Sequence, residues 1–515
     1  MRKPCMQDIV LCVGLLIFNN NTNLYGKIFA YFMNWWLFHL NWMRLIVSCL
    51  VFFTLTSNLF AQKASKKIDE LLSMYAQNGK LNGSVLVADS TGILFRKGFG
   101  MADFDWQIPN TPQTKFRIAS ISKQFTALMI LQLVEEGKMK LDDKISVFIP
   151  EYPKDKAEKI TIHQLLSHTS GIVHYFPDFY QKFSKNNFTP DELMHLFWDI
   201  NLLFEPSTQF RYSSFGYVVL GVILERVTGK SYETNLQERI CKPLKMENTG
   251  IDNDLNIIPQ KAKGYLTSGN VLNCEYRNMS TVFATGQIYS TIEDLYLWHK
   301  ALGTNQLLNQ KYKKLLFTPN QNNYGYGWLI TSQELSKTKK VHTFWHTGGY
   351  NGYNAIILRE ENGNFVTILA NAEPTDVENI AKSILQILHN VLCETPKKSI
   401  TQTLAKVINS QGIEAGFEEY KKLQKAFASD YDFSEGALIG LSEYYGLLKK
   451  TATVIRLLEF NIEQYPNSSW TYSNLGSIYA QLGNEEKAVE YYEKTLALFP
   501  HDSVAKTYLA KVKKK

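Results

Sequence analysis

The stretch from Phe125 to Val134 is apolar at almost every position, and this feature most constrains how the chain can fold. A helix that is apolar around its whole circumference has no face to present to water, so it must be buried on all sides. The sequence therefore predicts a domain built around one central, buried helix. Ser120 and Lys123 lie just before this run, at the predicted N-terminus of that helix.

Ser120 and Lys123 form a Ser-x-x-Lys sequence, and residues three apart on a helix share one face. A serine hydroxyl becomes a strong nucleophile when a neighbouring base takes its proton. A lysine can be that base where burial lowers its pKa, because desolvation disfavours the ammonium form. The helix N-terminus also offers N–H groups and a partial positive charge to an oxyanion. The alternative is a helix-capping serine with a lysine in the first turn.

The Ser-x-x-Lys spacing alone is not specific, because it occurs twice more, at Ser336 and Ser503. Both of these lie in polar segments, which we interpret as solvated surface. Three cysteines follow residue 62, at Cys241, Cys274 and Cys393. An odd number cannot pair completely, which excludes a disulfide scaffold but leaves one bridge open.

The composition is that of an ordinary globular protein. With 515 residues, the chain is long enough for about three domains. Its 45% apolar and 20% charged residues exclude a disordered chain. The formal net charge of +7 is small for this length and does not indicate a nucleic-acid partner.

Residues 43–61 have the pattern of an export signal: a basic start, an apolar segment and a small residue before the cut. We expect this segment to be a signal peptide, translation to begin at Met43, and residues 1–42 to be a non-native upstream extension. The predicted location is then outside the cytoplasm, in the bacterial periplasm. A membrane anchor around residues 28–60 and lipidation at Cys49 are the alternatives.

Strand patterns lie at both ends of residues 63–392, and helical patterns with many loops lie between them, from about 140 to 310. The pattern predicts an α/β lobe and an all-helical lobe with the Ser120 helix between them. The predicted elements at the two ends are a helix at 64–78, strands at Gly83–Asp89, Ile93–Gly100, Tyr324–Ile330, Lys340–Trp345, Tyr353–Arg359 and Asn364–Ala370, and a helix at Asp376–Leu392.

Residues 393–400 look like a linker, and residues 401–515 are rich in charged helical patterns. Residues 469–502 carry the signature positions of a 34-residue tetratricopeptide repeat (TPR), and the preceding 34 residues carry a looser copy. Residues 400–434 are a candidate third copy. Because such repeats present concave surfaces that bind peptides or proteins, we expect an α-helical TPR domain with a possible protein partner. A purely stabilising appendage is the alternative.

Two further motifs follow Ser120 in the sequence. Tyr212-Ser213-Ser214 begins a second apolar helix, and His346-Thr347-Gly348-Gly349 follows a strand pattern. A tyrosine can move protons if a cation such as Lys123 lowers its pKa. A Gly-Gly strand edge lets backbone N–H groups approach a substrate carbonyl closely. Tyr212 could also be a plain buried aromatic, and His346 a structural histidine.

In this order, the three motifs resemble those of serine β-lactamases and penicillin-binding proteins. The tyrosine of the second motif makes the chain most similar to the class C group, which includes D,D-carboxypeptidases, esterases and D-amino-acid peptidases. The resemblance covers residues 65–390 and implies a β-lactamase-like antiparallel sheet with flanking helices. The supporting stretches are 165–172, 217–225 and 286–295.

The resemblance implies a role for each motif. Ser120 would be the acylated nucleophile, Lys123 its proton acceptor, and Tyr212 the proton relay to the leaving group. The N–H groups of Ser120 and Gly349 would form the oxyanion hole. The remaining residues of the second and third motifs would contact the substrate, and His346 and Thr347 would bind its carboxylate or carbonyl end; these residues are Ser214, His346, Thr347, Gly348 and Gly349.

Two departures from the family pattern direct the functional prediction. Ser214 replaces the usual asparagine, and His346 replaces the lysine of β-lactamases. A histidine near its ordinary pKa of about 6.5 is mostly neutral at pH 7 and attracts a carboxylate weakly. We therefore expect an exported hydrolase that acts on an ester or amide, such as a D-amino-acid peptide. A true β-lactamase and a non-catalytic, ligand-binding sensor are the alternatives.

No cofactor or metal is expected. His163 and His168 are five residues apart and lack the glutamate of an H-E-x-x-H zinc motif, so we interpret His168 as a structural hydrogen-bonding group.

Overall fold

The computed structural model describes residues 29–38, 62–176, 178–253 and 255–513. The chain divides into two compact units, residues 1–64 and residues 65–515, and each is described by itself. In the first unit, residues 29–38 form an exposed helix, α1. Among the described residues, no helix has the length and apolar character needed to cross a membrane. The predicted signal peptide at 43–61, with Cys49, lies outside the described residues.

The strands belong to one large sheet and several small ones. In chain order they are β1 (Gly83–Asp89), β2 (Gly92–Phe99), β3 (Met101–Asp103), β4 (Ile108–Pro109), β5 (Phe116–Arg117), β6 (Gly250–Ile251), β7 (Tyr265–Leu266), β8 (Leu272–Asn273), β9 (Ile288–Ser290), β10 (Leu329–Ser336), β11 (Lys339–Tyr350), β12 (Tyr353–Glu360), β13 (Phe365–Ala370), β14 (Ala372–Glu373), β15 (Lys398–Ser399) and β16 (Tyr431–Asp432).

The helices follow the same order. After α1 they are α2 (62–77), α3 (Ser122–Glu135), α4 (Ile145–Phe148), α5 (Lys154–Ala157), α6 (Ile162–Leu166), α7 (Phe179–Phe183), α8 (Pro190–His195), α9 (Ser214–Thr228), α10 (Tyr232–Leu236), α11 (Lys242–Leu244), α12 (Ile292–Leu302), α13 (Gln310–Leu316), α14 (Val377–Leu388), α15 (Ile400–Gln411), α16 (Ile413–Phe427), α17 (Glu435–Leu447), α18 (Thr451–Gln464), α19 (Ser469–Gln481), α20 (Glu485–Leu498) and α21 (Ser503–Val512).

The large sheet joins strands from both ends of the hydrolase-like region, as the sequence predicts. Its strand order is β10-β11-β12-β13-β1-β2, and every neighbouring pair is antiparallel. Successive side chains on a strand point to opposite faces. Val85 and Val87 of β1 accordingly pack in one core with α2 and α14, whereas Leu86 and Ala88 pack in the larger core of the helical lobe.

Helix α3 occupies the position that its apolar sequence predicts. Every residue from Ser122 to Leu133 is buried, including the polar Lys123 and Gln124. The helix packs against α9, α10 and α13 of the helical lobe. The expected α/β lobe, helical lobe and intervening helix are therefore confirmed.

Three predicted element bounds are wrong. Strand β11 runs on to Tyr350, five residues beyond the predicted Trp345, so the third motif lies within the strand instead of after it. Residues 324–328 do not form a strand, because β10 begins only at Leu329. At Gly327 φ is +78°, and a Cβ there would lie 2.8 Å from Cα of Gln124, so the chain passes against α3 instead of entering the sheet. Helix α14 ends at Leu388 rather than Leu392, just before Asn390 adopts a left-handed conformation with φ of 55°.

The C-terminal region consists of paired helices, as the repeat pattern predicts. Helices α17 and α18 pair, as do α19 and α20, and the segment suggested as a third copy forms the pair α15 and α16. Strand β15 starts at Lys398, so the linker predicted at 393–400 ends earlier than expected. The repeats contact the hydrolase-like domain, where Nζ of Lys80 lies 2.6 Å from Oδ2 of Asp432.

Candidate active site

Ser120 lies on a 3-10 turn, Ala119–Ile121, that leads directly into α3. Ala119 before it has φ of 44°, a left-handed conformation that a residue with a side chain rarely adopts and that clusters at functional sites. The Ser120 side chain is half-buried, whereas Ala119 and Ile121 on either side are buried. The turn therefore exposes one hydroxyl at the end of an otherwise dry helix.

Lys123 lies in the first turn of α3 and is completely buried. Its Nζ donates hydrogen bonds to Oγ of Ser120 and to the carbonyl oxygen of Thr285, both at 3.1 Å. Among the described residues, no carboxylate pairs with this amine. Burial lowers the pKa of Lys123 from 10.5 to about 7. A substantial fraction of the side chain is then neutral at physiological pH and can accept the Ser120 proton.

Tyr212 faces the same amine. Nζ of Lys123 lies 5.0 Å from the Tyr212 ring centroid. Burial raises the pKa of the Tyr212 hydroxyl, and the nearby Ser120 hydroxyl only partly counteracts it. The expectation that Lys123 lowers this pKa is therefore wrong, because the desolvation of the buried Tyr212 hydroxyl dominates. Tyr212 stays protonated, and its buried Oη has no hydrogen-bond partner among the described residues.

Two buried histidines hold the Tyr212 segment. The backbone N–H of Ser213 donates to Nδ1 of His168 at 3.1 Å, and that of Ser214 donates to Nδ1 of His174 at 3.0 Å. Burial lowers the pKa of both rings, in His174 to about 3, and the Lys123 charge lowers both further. Both rings are thus neutral acceptors, which confirms the structural role expected for His168.

The glycines of the third motif lie within β11, beside the nucleophile turn. A Cβ on Gly348 would lie 2.1 Å from the carbonyl oxygen of Ile118 and 3.0 Å from the backbone nitrogen of Ser120. A side chain at this position would push the strand off the turn. Gly349, one residue further on, is exposed and lines the cavity in front of Ser120.

His346 and Thr347 are not placed as the family resemblance implies. His346 is 4% exposed, and its Nδ1 and Nε2 contact the Thr347 carbonyl oxygen at 2.6 Å and the Tyr324 hydroxyl at 3.0 Å. Burial lowers its pKa to about 4, and the Lys123 charge contributes. Neither residue lines the cavity. A neutral ring whose nitrogens are both engaged is not available to bind a substrate carboxylate.

The cavity in front of Ser120 has a volume of about 300 Å³. Of the predicted site residues, Ser120, Tyr212, Ser214 and Gly349 line it, and Lys123 lies behind Ser120. The described residues contain no group of three or more side chains suited to a metal ion. The polar and aromatic lining residues that sequence reasoning missed are His174, Tyr175, Tyr180, Arg277, Thr285, Tyr350, Asn351 and Glu373.

A sequence signal existed for only some of the missed residues. His174, Tyr175 and Tyr180 belong to one histidine- and aromatic-rich stretch that starts soon after His168. Arg277, by contrast, lies in a loop with no motif around it. Its place in the cavity follows from the packing of its guanidinium on two rings, 4.9 Å from the centroid of Tyr180 and 5.7 Å from that of Tyr350.

Comparison with known proteins found two matching family models and several relatives. Residues 64–390 match the family model described as Beta-lactamase, and residues 469–502 match that described as Tetratricopeptide repeat. The chain is 30% identical over 356 residues to Protein flp of Staphylococcus aureus (strain MRSA252), covering 66% of this chain and 69% of that protein. It is 28% identical over 360 residues to Penicillin-binding protein 4* of Bacillus subtilis (strain 168), covering 65% and 77%.

Among solved structures, the fold is similar to that of the D-amino acid amidase from Ochrobactrum anthropi SV3 in complex with L-phenylalanine. The TM-score is 0.55 at 26% identity, and the match covers 64% of this chain and 99% of that chain.

Proposed function

Since this chain belongs to the β-lactamase family and ends in tetratricopeptide repeats, we propose that it is a serine hydrolase that forms an acyl-enzyme at Ser120 on an ester or amide. The observation that carries the proposal is the contact of 3.1 Å between Nζ of Lys123 and Oγ of Ser120. It joins a nucleophile to a buried base whose pKa is about 7. Such pairing is the requirement for nucleophilic catalysis by serine.

In the proposed acylation, neutral Lys123 accepts the Ser120 proton as Oγ attacks the substrate carbonyl carbon. The backbone N–H groups of Ser120 and Gly349 stabilise the oxyanion. As the carbonyl–leaving group bond breaks, Tyr212 gives its proton to the departing oxygen or nitrogen, and Lys123 returns a proton to Tyr212. Water then attacks the acyl-enzyme by the same steps in reverse, releasing the acid and restoring Ser120.

We propose an ester or amide, such as a D-amino-acid peptide, ahead of a β-lactam. The position of His346 supports this choice, because a buried neutral ring offers no charge to the carboxylate that β-lactams carry. The amidase and penicillin-binding relatives support it in the same direction. A non-catalytic sensor is the competing function, favoured by Ser214 in place of asparagine.

Active-site labelling tests the proposal. A fluorescent phosphonate should label the wild type, and mass spectrometry should locate the adduct on Ser120. Ser120→Ala should lose the label, whereas Ser336→Ala, which alters the same Ser-x-x-Lys spacing in a hairpin, should keep it. Equal labelling of wild type and Ser120→Ala, or no turnover of any ester, D-peptide or β-lactam, would favour the sensor.

We also propose that the protein is exported to the bacterial periplasm, on the signal-like pattern of residues 43–61. Fractionation of a bacterial host that produces the full chain should recover an exported form whose N-terminus is Gln62. Retention in the cytoplasm would contradict export, and an uncleaved or lipid-modified exported form would support one of the two membrane-bound alternatives.

For the C-terminal repeats, we propose a protein or peptide partner. Removal of residues 398–515 should then abolish capture of that partner while ester hydrolysis persists. If the truncated chain keeps every partner that the full chain captures, the repeats serve only to stabilise the fold.

A further inference from the structure

Arg277 differs from three neighbouring cations, Arg117, Lys261 and Lys263. Arg117 and Lys261 both pair with Asp252, at 2.5 and 2.8 Å, and Lys263 pairs with Asp103 and Asp105. Arg277 has no carboxylate within 4.0 Å among the described residues, and its contacts are with the Tyr180 and Tyr350 rings. The guanidinium is half-buried and lines the cavity together with Ser120. Its guanidinium therefore has no direct ion-pair partner among the described residues at the place where substrate would bind.

The position of Arg277 relative to Tyr212 determines which part of a bound substrate the Arg277 guanidinium contacts. Tyr212 packs toward His346, with ring centroids 6.0 Å apart, and it is the group that protonates the leaving group. Arg277 lies over Tyr350, the residue that follows Gly349 on β11. A substrate whose carbonyl oxygen sits at Gly349 and whose leaving group faces Tyr212 extends its acyl part toward Tyr350 and Arg277.

We propose that Arg277 determines specificity by binding an anionic group on the acyl part of the substrate. The inference rests on the proposed hydrolase function. The substrate would carry a carboxylate or similar anion at the far end of its acyl chain, because a guanidinium binds planar anions through paired hydrogen bonds. Glu373 lines the same cavity, but its Oε2 accepts the backbone N–H of Gly352 at 2.9 Å, which holds the carboxylate in place.

Three esters with one leaving group and one chain length test the proposal: the p-nitrophenyl esters of adipate, hexanoate and 6-aminohexanoate. The measured quantity is the ratio of kcat/KM for the adipate monoester to that for the hexanoate ester. We expect the ratio in Arg277→Gln to fall by about tenfold or more relative to wild type, the size expected for a charge-assisted hydrogen bond. Arg277→Lys should retain part of the wild-type preference for the adipate monoester.

The controls separate the possible failures. Lys263→Gln removes a neighbouring cation that is already paired, and it should leave the ratio unchanged. In the wild type, added salt should lower the ratio, because salt screens a partly exposed charge pair; this measurement needs no variant to fold. An unchanged ratio in Arg277→Gln, or one insensitive to salt, overturns the proposal. A preference for the 6-aminohexanoate ester also overturns it and assigns recognition to Glu373.

Turnover of none of the three esters by a wild type that also takes no phosphonate label at Ser120 would refute the proposed hydrolase function itself. Turnover of none of them by a wild type that is labelled at Ser120 would overturn only the proposed recognition of this acyl part. Turnover of all three at equal kcat/KM would refute only the role of Arg277.

Discussion

The buried amine of Lys123 should make the stability of this protein depend on pH in a defined way. Its pKa is about 7 in the folded state and near 10.5 when the chain is unfolded. Below pH 7 both states carry the proton, and the fold bears the full cost of burying a cation. As the pH rises from 7 to 10.5, the folded state releases its proton first, so the cost disappears and stability increases.

The magnitude follows from the two pKa values. Each tenfold difference in proton affinity corresponds to about 1.4 kcal/mol, so protonated Lys123 costs the fold about 5 kcal/mol below pH 7. Between pH 6 and pH 9 the free energy of unfolding should rise by about 2–3 kcal/mol from this group alone. Lys123→Met replaces the amine with an apolar side chain of similar length and should be more stable than wild type at pH 6.

Urea unfolding of both proteins at several pH values, followed by the fluorescence of the buried Trp298 and Trp328, measures the effect. The quantity compared is the difference in unfolding free energy between Lys123→Met and wild type, which cancels every other titrating group. That difference should shrink by about 2–3 kcal/mol from pH 6 to pH 9. Lys300→Met, at an exposed position, should show no such trend. A difference for Lys123→Met that stays constant with pH would refute the reasoning.

Three further predictions follow from the site. The wild-type kcat/KM for an ester should rise through about pH 7 to a plateau, because only neutral Lys123 accepts the Ser120 proton. A kcat/KM that falls across this range would contradict the role of Lys123 as the base. Gly348→Ala should lower the free energy of unfolding in urea by about 1–3 kcal/mol and reduce activity, because its Cβ would collide with the Ile118 carbonyl oxygen. The control Gly446→Ala, whose Cβ would have no atom within 4 Å, should change neither stability nor activity in this way. His174→Phe leaves the Ser214 N–H without its acceptor and should lower kcat at least tenfold with little change in KM; a change confined to KM would instead indicate that His174 contacts the substrate.

The sequence predicted the parts of this molecule that follow from periodicity and local chemistry. The buried α3 was evident because Phe125–Val134 offers no polar face, and the placement of Lys123 beside Ser120 follows from spacing on that helix. Strands β1 and β13 are apolar at most positions, so a strand could be predicted at each of them. The sequence placed strand patterns at both ends of the helical insertion, but the pairing of β1 with β13 is given by the structure alone.

Other features depend on contacts between distant segments. His346 was expected to face substrate, but its orientation is set by Tyr324, a residue from a loop that the sequence misassigned to a strand. The pKa of Tyr212 depends on how completely its surroundings exclude water, which no local pattern records. Arg277 becomes part of the site only because Tyr180 and Tyr350, far apart in sequence, present their rings to it.

The pairing of β1 with β13 also governs how the chain can fold during synthesis. Strand β2 pairs with one edge of β1 as soon as it is made, but the other edge, where Gly83 pairs with Ala370, has no partner until almost the whole hydrolase domain has been made. Contacts so distant in sequence slow folding, and an apolar strand with one open edge is an aggregation hazard in the interval. A nascent chain stopped before β13 would leave β1 in this state. The domain should therefore depend on chaperones more than the C-terminal repeats, whose helices pair with sequence neighbours.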